Sequence, residues 1–136
     1  MYLDELTVGQ TASIAKTITE ADILLFSAVS TDTNPVHINA DYAKTTMFGE
    51  RIAHGMLSAS LISAALANKL PGAGTIYLGQ TLKFTAPVKI GETVEARLEI
   101  LTIDEVKGKV SIRTQCYVAD KLVIDGEALV IAPKRT

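Results

Sequence analysis

Gly55-Met56-Leu57-Ser58-Ala59-Ser60-Leu61-Ile62-Ser63-Ala64-Ala65-Leu66-Ala67-Asn68-Lys69-Leu70, closed by Pro71-Gly72, is the stretch on which the fold turns. It is built from Ala, Leu, Ile and Ser, carries no charge before Lys69, and stops where proline and glycine end helices. A helix that is apolar nearly all round is buried on most of its faces, so Gly55 to Leu70 reads as the central helix of the domain. It is interrupted by serines and Asn68, and it falls short of the ~20 residues that a membrane span needs.

Beyond this helix the chain takes a different period. Ile76, Leu78, Leu82 and Phe84 alternate with Tyr77, Thr81, Lys83 and Thr85. Val94, Ala96, Leu98 and Ile100 alternate with Thr93, Glu95, Arg97 and Glu99; Val110, Ile112, Cys116 and Val118 do likewise, and Leu122 to Ile131 makes a last strand. A period of two with one polar face is the mark of an antiparallel sheet, and Pro87, Gly91, Gly108 and Asp120-Lys121 supply turns. Ahead of the central helix, Ala12 to Thr17 reads as a short strand. Thr19-Glu20-Ala21-Asp22 has the form of a capping box opening a helix through Val29, and Ser30 to Ile38 reads as a loop. Asn39 can cap a short helix over Tyr42 to Met47, broken by Phe48-Gly49-Glu50. One buried helix with a long antiparallel sheet able to wrap around it gives an α+β domain. No linker, repeat or low-complexity stretch divides residues 1–136, so one domain is expected.

Composition narrows the function. Hydrophobic residues make up 48% of the 136 and charged residues 21%, as in a folded globular chain. A formal net charge of -2 argues against a general nucleic-acid or membrane-surface binder, which needs a basic face. The single cysteine, Cys116, has no partner for an internal disulfide and sits in an alternating strand, so it reads as a packing residue in a reducing compartment. Met1 to Gln10 is acidic and has no apolar run of signal-peptide length, which points to the cytoplasm.

Within the loop, Asp32-Thr33-Asn34-Pro35-Val36-His37 places a carboxylate and an imidazole five positions apart around an Asn-Pro pair. Proline disfavours the α region for the residue before it, so Asn34 is expected extended and the segment non-helical. A stiff link of this kind holds Asp32 and His37 at a set separation, as a paired acid and base require, and the Asn34 amide can orient one of them. Two histidines and one cysteine give no zinc cluster, and no glycine-rich dinucleotide loop precedes a helix, so neither a metal nor a bound cofactor is expected.

Taken with His54-Gly55-Met56 at the start of the central helix, the D-x-N-P-x-H run resembles the MaoC-like (R)-specific enoyl-CoA hydratases of the hot-dog fold superfamily. The resemblance covers nearly the whole chain and includes Tyr77-Leu78-Gly79-Gln80 and Phe84-Thr85-Ala86-Pro87-Val88. Two positions depart from the pattern: Thr31 stands where the family commonly has Gly, and Asn39 where it often has Asp. The resemblance implies a hot-dog fold, a sheet wrapped around a central helix. It also implies reversible hydration of a trans-2-enoyl-CoA, with no cofactor beyond the CoA of the substrate. Within that activity Asp32 is the base, His37 the proton donor and water orienter, and Asn34 the residue that positions them. A homodimer joined edge to edge is implied as well, and an exposed edge strand gives pairing a physical motive.

The amide of Gly55, unpaired at the positive end of a helix, suits a developing thioester oxygen, and the missing Cβ permits close approach. Glycine there equally serves close packing of helix on sheet. Ser63, eight residues on, can share that helix face. The resemblance places a pocket serine at Ser63, although a buried serine often bonds only to a carbonyl one turn earlier. Ala59, Ile62 and Leu66 are the expected boundary of an acyl tunnel, and His54 reads as structural. Arg51, Lys83, Lys89 and Lys107 are all candidates for the CoA phosphates. Two further functions compete: dehydration of 3-hydroxyacyl groups on an acyl-carrier protein, and binding of acyl-CoA without chemistry.

Overall fold

The computed structural model describes residues 1–136. A short 3₁₀ turn at Leu3–Glu5 leads into β1 (Thr11–Thr17), followed by α1 (Glu20–Ser30), α2 (Pro35–Ile38), α3 (Ala40–Lys44) and α4 (Gly55–Asn68). Four strands complete the chain: β2 (Ile76–Phe84), β3 (Thr93–Ile103), β4 (Lys109–Val118) and β5 (Lys121–Ile131). They form one sheet in the order β1-β3-β4-β5-β2, with every neighbouring pair antiparallel. Helix α4 lies across it, packed chiefly on β3 and also on β1 and β4. This is the helix-and-sheet architecture of the hot-dog fold. No helix is long and apolar enough to cross a membrane.

The two periods in the sequence explain this packing. Val94, Ala96, Leu98 and Ile100 of β3 and Val110, Ile112 and Cys116 of β4 are all buried, with Ala96 opposite Cys116 and Ile100 opposite Ile112. Thr114, the one polar side chain in that row of β4, accepts a hydrogen bond from Gln80 Nε2 at 2.7 Å. Helix α4 lays Leu57, Leu61, Ile62, Ala65 and Leu66 on this surface. Each full aliphatic burial is worth about 1.5–3 kcal/mol, whereas an isolated helix of this length is marginal in water. Helix α4 is therefore held by the sheet. Strand β2 contrasts with the rest: it pairs only with β5, and Ile76, Tyr77, Leu78 and Phe84 along it are exposed.

Cys116 is fully buried, and burial pushes its thiol up to about 12. A thiolate is the reactive form, so at pH 8 iodoacetamide should leave the folded protein unmodified and alkylate one thiol after denaturation, as read by mass spectrometry. Rapid labelling of the folded protein would mean that the contact between α4 and the sheet opens readily.

Two local expectations change. The segment after Asn34 is helical rather than loop: Asn34 itself is extended (φ -52, ψ 127), but its Oδ1 accepts from the Val36 amide, and Pro35, whose fixed φ suits a first helical position, starts α2. Helix α3 begins earlier than expected because Asn39 Oδ1 accepts from the Tyr42 amide. It stops before Met47 because the hydroxyls of Thr45 and Thr46 take up the carbonyls of Tyr42 and Ala43. The capping box at Thr19 is present, with Thr19 Oγ1 and Asp22 Oδ2 each accepting from the other's amide.

Thr31, the residue that stands where the family commonly has Gly, ends α1 in the left-handed region at φ 64. A β-branched residue there costs about 1–2 kcal/mol, of which a glycine would give back part through its greater freedom when unfolded. Thr31→Gly should therefore raise stability by roughly 0.5–1 kcal/mol in urea titrations. A loss of stability would show that the Thr31 side chain is held by its surroundings.

Candidate active site

The residues singled out in the sequence meet at the N-terminal end of α4. Ser30 Oγ accepts from the Asp32 amide (3.1 Å), Asp32 Oδ1 from the Asn34 amide (3.2 Å) and Asn34 Oδ1 from the Val36 amide (3.2 Å). These nested turns are what Ser, Asp and Asn favour locally, and they carry the chain from α1 to α2 without regular structure between. Asn34 thus orients backbone, as the cap of α2, rather than touching either titratable group with its side chain.

His37 is buried, and its Nδ1 lies 2.8 Å from the carbonyl oxygen of Ile52. A carbonyl only accepts, so Nδ1 carries the proton and Nε2 of the neutral ring is left bare. Arg51 donates from Nε to the His37 carbonyl at 2.7 Å and pairs with Glu20 at 2.9 Å. That fastens α2 to α1 and commits Arg51 to structure. Lys89 is paired with Glu50 at 3.8 Å.

A carboxylate oxygen of Asp32, a ring nitrogen of His37 and a ring nitrogen of His54 lie within 4.8 Å of one another. Two hydrogen bonds of about 2.8 Å meeting at one water span roughly 4.6 Å, so Asp32 and His37 are close enough to share one water. The same three groups would make poor metal ligands. The rings of His37 and His54 are stacked, with centroids 3.9 Å apart and planes at 27°, so their in-plane lone pairs run side by side. They do not converge on the ~2.0–2.1 Å bonds of a zinc ion.

Beside this cluster is a cavity of about 530 Å³, lined by fifteen residues of which nine are hydrophobic. Asp32, His54, Gly55 and Ser58 face it from the helix side, opposite Phe84 and Ile124 of the sheet. Gly55 is the first residue of α4, where an amide has no acceptor within the helix. Its lack of a side chain allows close packing on β2: a Cβ there would come within 2.7 and 2.8 Å of two ring carbons of Phe84.

Other expected residues lie elsewhere. Ser63 is exposed on the outer side of α4 and does not line the cavity of the single chain. Ala59, Ile62 and Leu66 are buried in the core and do not line it either, because that face of α4 is the one packed on the sheet. The serine at the cavity is Ser58, buried, with no hydrogen-bond partner for its Oγ. At 100° per residue Ser58 and Ser63 lie about 60° and 80° to either side of Gly55, and a helix apolar on every side gives no sign of which flank meets the sheet. His54 has more contacts than its sequence position suggests: it is the most buried titratable group at the cavity, and nothing in a lone histidine before a helix reveals its partners.

Known proteins resemble this chain in sequence and in fold. The family described as MaoC like domain matches residues 6–121. The (R)-specific enoyl-CoA hydratase of Rhodospirillum rubrum is 55% identical over 134 residues, 98% of this chain and 93% of that protein. The 3-hydroxybutyryl-CoA dehydratase of Methylorubrum extorquens is 42% identical, over 99% of this chain and 86% of that protein. Among solved structures, the unliganded R-hydratase PhaJ1 from Pseudomonas aeruginosa superposes with a TM-score of 0.93 at 54% identity, covering 98% of this chain and 86% of that one.

Proposed function

The chain belongs to the MaoC-like domain family, and on that premise we propose that it is a hydro-lyase adding water reversibly to trans-2-enoyl-CoA thioesters to give (R)-3-hydroxyacyl-CoA. The observation that carries this reading is the pair of acceptors, Asp32 and His37, within 4.8 Å of each other, with Asp32 and Gly55 both lining the cavity. A water between them gives one hydrogen to the carboxylate and the other to the bare Nε2 of His37, which leaves a lone pair for Cβ of the enoyl group. Its oxygen bonds to Cβ as one proton passes to the pair, and the pair returns one proton to Cα. Water is added, and nothing is oxidised or reduced. Asp32 acts as the base and His37 as the donor to Cα. With Nδ1–H tied to Ile52, His37 delivers a proton from Nε2 only after receiving one, so the two groups act as a unit. The charge that collects on the thioester oxygen meets the Gly55 N–H and the positive end of α4.

No cofactor beyond the CoA carried by the substrate is needed for this chemistry, and no metal. The single unpaired cysteine fits work in the reducing cytoplasm. The protein acts as a homodimer in this reading: β2 offers an unpaired edge with exposed apolar side chains, and the exposed stripe Met56, Ser60, Ser63 and Ala67 of α4 is free to be covered by a second copy. Ser63 joins the reaction only through such a contact, and light scattering at assay concentration should report twice the chain mass.

Loss of enoyl absorbance tests the reading with trans-2-enoyl-CoA substrates from four to eight carbons, beside the same acyl groups on an acyl-carrier protein. Turnover is expected with the CoA series. Preference for the carrier protein would make the protein a 3-hydroxyacyl dehydratase of the same fold, and no turnover at any length would leave a binder without chemistry.

A further inference from the structure

The structure assigns His54, which the chemistry above leaves unused, the task of a positioning residue that holds the Asp32 loop and the His37 ring in register with the first amide of α4. His54 is 2% exposed and occupies the position just before α4, yet its side chain makes no bond to the helix amides there. Its Nε2 lies 3.0 Å from the carbonyl oxygen of Asp32 and 3.1 Å from Ser27 Oγ. Because the carbonyl only accepts, Nε2 carries the proton and donates to it, with the Ser27 hydroxyl as the second group within reach. One face of the ring stacks on His37, and the ring of Phe26 packs against it at 4.9 Å and 55°. A single imidazole therefore joins α1, the Asp32 turn and α2 to the residue preceding Gly55.

The other ring nitrogen sharpens the inference. Nδ1 of His54 is buried and has no hydrogen-bond partner. A cationic His54 would point a second N–H into that place without an acceptor, next to a ring that itself accepts and passes protons. The titratable groups facing His54 are Asp32 and His37. Burial lowers its pKa below the usual histidine value, outweighing the opposing effect of the bond to the Asp32 carbonyl. Burial thus favours the neutral ring, in which Nε2–H remains the donor to Asp32. His37 exchanges protons, and His54 keeps still beside it. A histidine kept for packing alone would need neither the fixed tautomer nor the bond to Asp32.

The effect on turnover rests on the hydratase reading; the tautomer and the restraint of the loop do not. Imidazole ¹⁵N spectra of the intact protein should show His54 neutral and protonated on Nε2, and titrating at lower pH than an ordinary histidine. Glutamine places an amide nitrogen where Nε2 stands and asparagine places one where Nδ1 stands, so the two replacements separate the donor from the volume. His54→Asn and His54→Phe should lower kcat roughly 10²-fold with KM changed no more than ~3-fold, the scale of an active-site displacement near 1 Å. His54→Gln should recover activity to within about 10-fold of the parent. Hydrogen exchange at the Asp32 and Asn34 amides should quicken in His54→Asn and not in His54→Gln, which decides the matter even if His54→Phe does not fold. A ring protonated on Nδ1, titration near the ordinary value, or equal activity in the Asn and Gln variants would overturn the proposal. A parent protein without hydration, but with the expected tautomer and exchange pattern, would overturn the hydratase reading alone.

Discussion

Asp32→Asn lowers kcat for enoyl-CoA hydration by about 10³-fold, His37→Ala by a similar factor, and the double variant by little more than either alone. General acid–base groups are typically worth 10²–10⁴, and groups that act as one unit fail to add. The non-additivity carries the information. If the two groups hold one water between them, within the 4.8 Å spread of the cluster, losing either loses the water's orientation, and the second loss finds little left to remove. KM should change little, since neither group needs to grip the CoA. The folded state should survive Asp32→Asn, because the amide oxygen still accepts from the Asn34 backbone as Asp32 Oδ1 does at 3.2 Å. Multiplicative losses, kcat falling by the product of the two factors, would mean that Asp32 and His37 act in separate steps.

Gly55→Ala is expected to damage stability and turnover together. The new Cβ would sit 2.7 Å from a ring carbon of Phe84, so either that ring or the start of α4 must shift. Overpacking of this kind costs about 1–3 kcal/mol. Moving the helix start carries the Gly55 amide off the thioester oxygen, and loss of one such donor is worth ~10²–10³ in kcat. The double variant Gly55→Ala/Phe84→Leu separates the two effects. Shortening residue 84 makes room for the methyl group, so stability should return, and with it kcat to within about 10-fold of the parent if the amide regains its place. Stability restored with kcat still ~10²-fold down would show that glycine is needed for the approach of substrate and not only for packing. A Gly55→Ala protein as active as the parent would remove the Gly55 amide from the mechanism.

The difference between what could and could not be read in the sequence is one of range. The alternation of Val94, Ala96, Leu98 and Ile100 with polar neighbours is a local signal, and the structure buries those residues as it requires. Strands β3, β4 and β5 follow one another through short turns, so their pairing is nearly dictated by connectivity. The placement of β1 beside β3 and of β2 beside β5 at the far edge depends on contacts across the whole chain, and periodicity says nothing about it. The helical turn at Pro35 was hidden by the same proline that kept Asn34 extended, since proline ends one conformation and starts another.

At the site, Asp32 and His37 were legible because a stiff turn fixes their separation within six residues of sequence. The placing of Ser58 at the cavity and Ser63 on the exposed flank was not, because α4 is apolar on all sides and only the sheet distinguishes its flanks. Nor was His54, whose hydrogen bond to Asp32 reaches across 22 positions and ends on a backbone carbonyl that no side-chain pattern records. Residues that act through local geometry leave a trace in the sequence; those that act by reaching another element do not.

The most direct test of the central claim, that Asp32 and His37 hold one water over a conjugated enoyl thioester, is the stereochemistry of the product. A trans-2-enoyl-CoA incubated with the protein in D₂O should yield 3-hydroxyacyl-CoA of the (R) configuration only, with one deuterium at C2 in a single configuration. The same product should be absent with the Asp32→Asn/His37→Ala variant. A racemic or (S) product, or (R) product formed as fast by that variant, would contradict it.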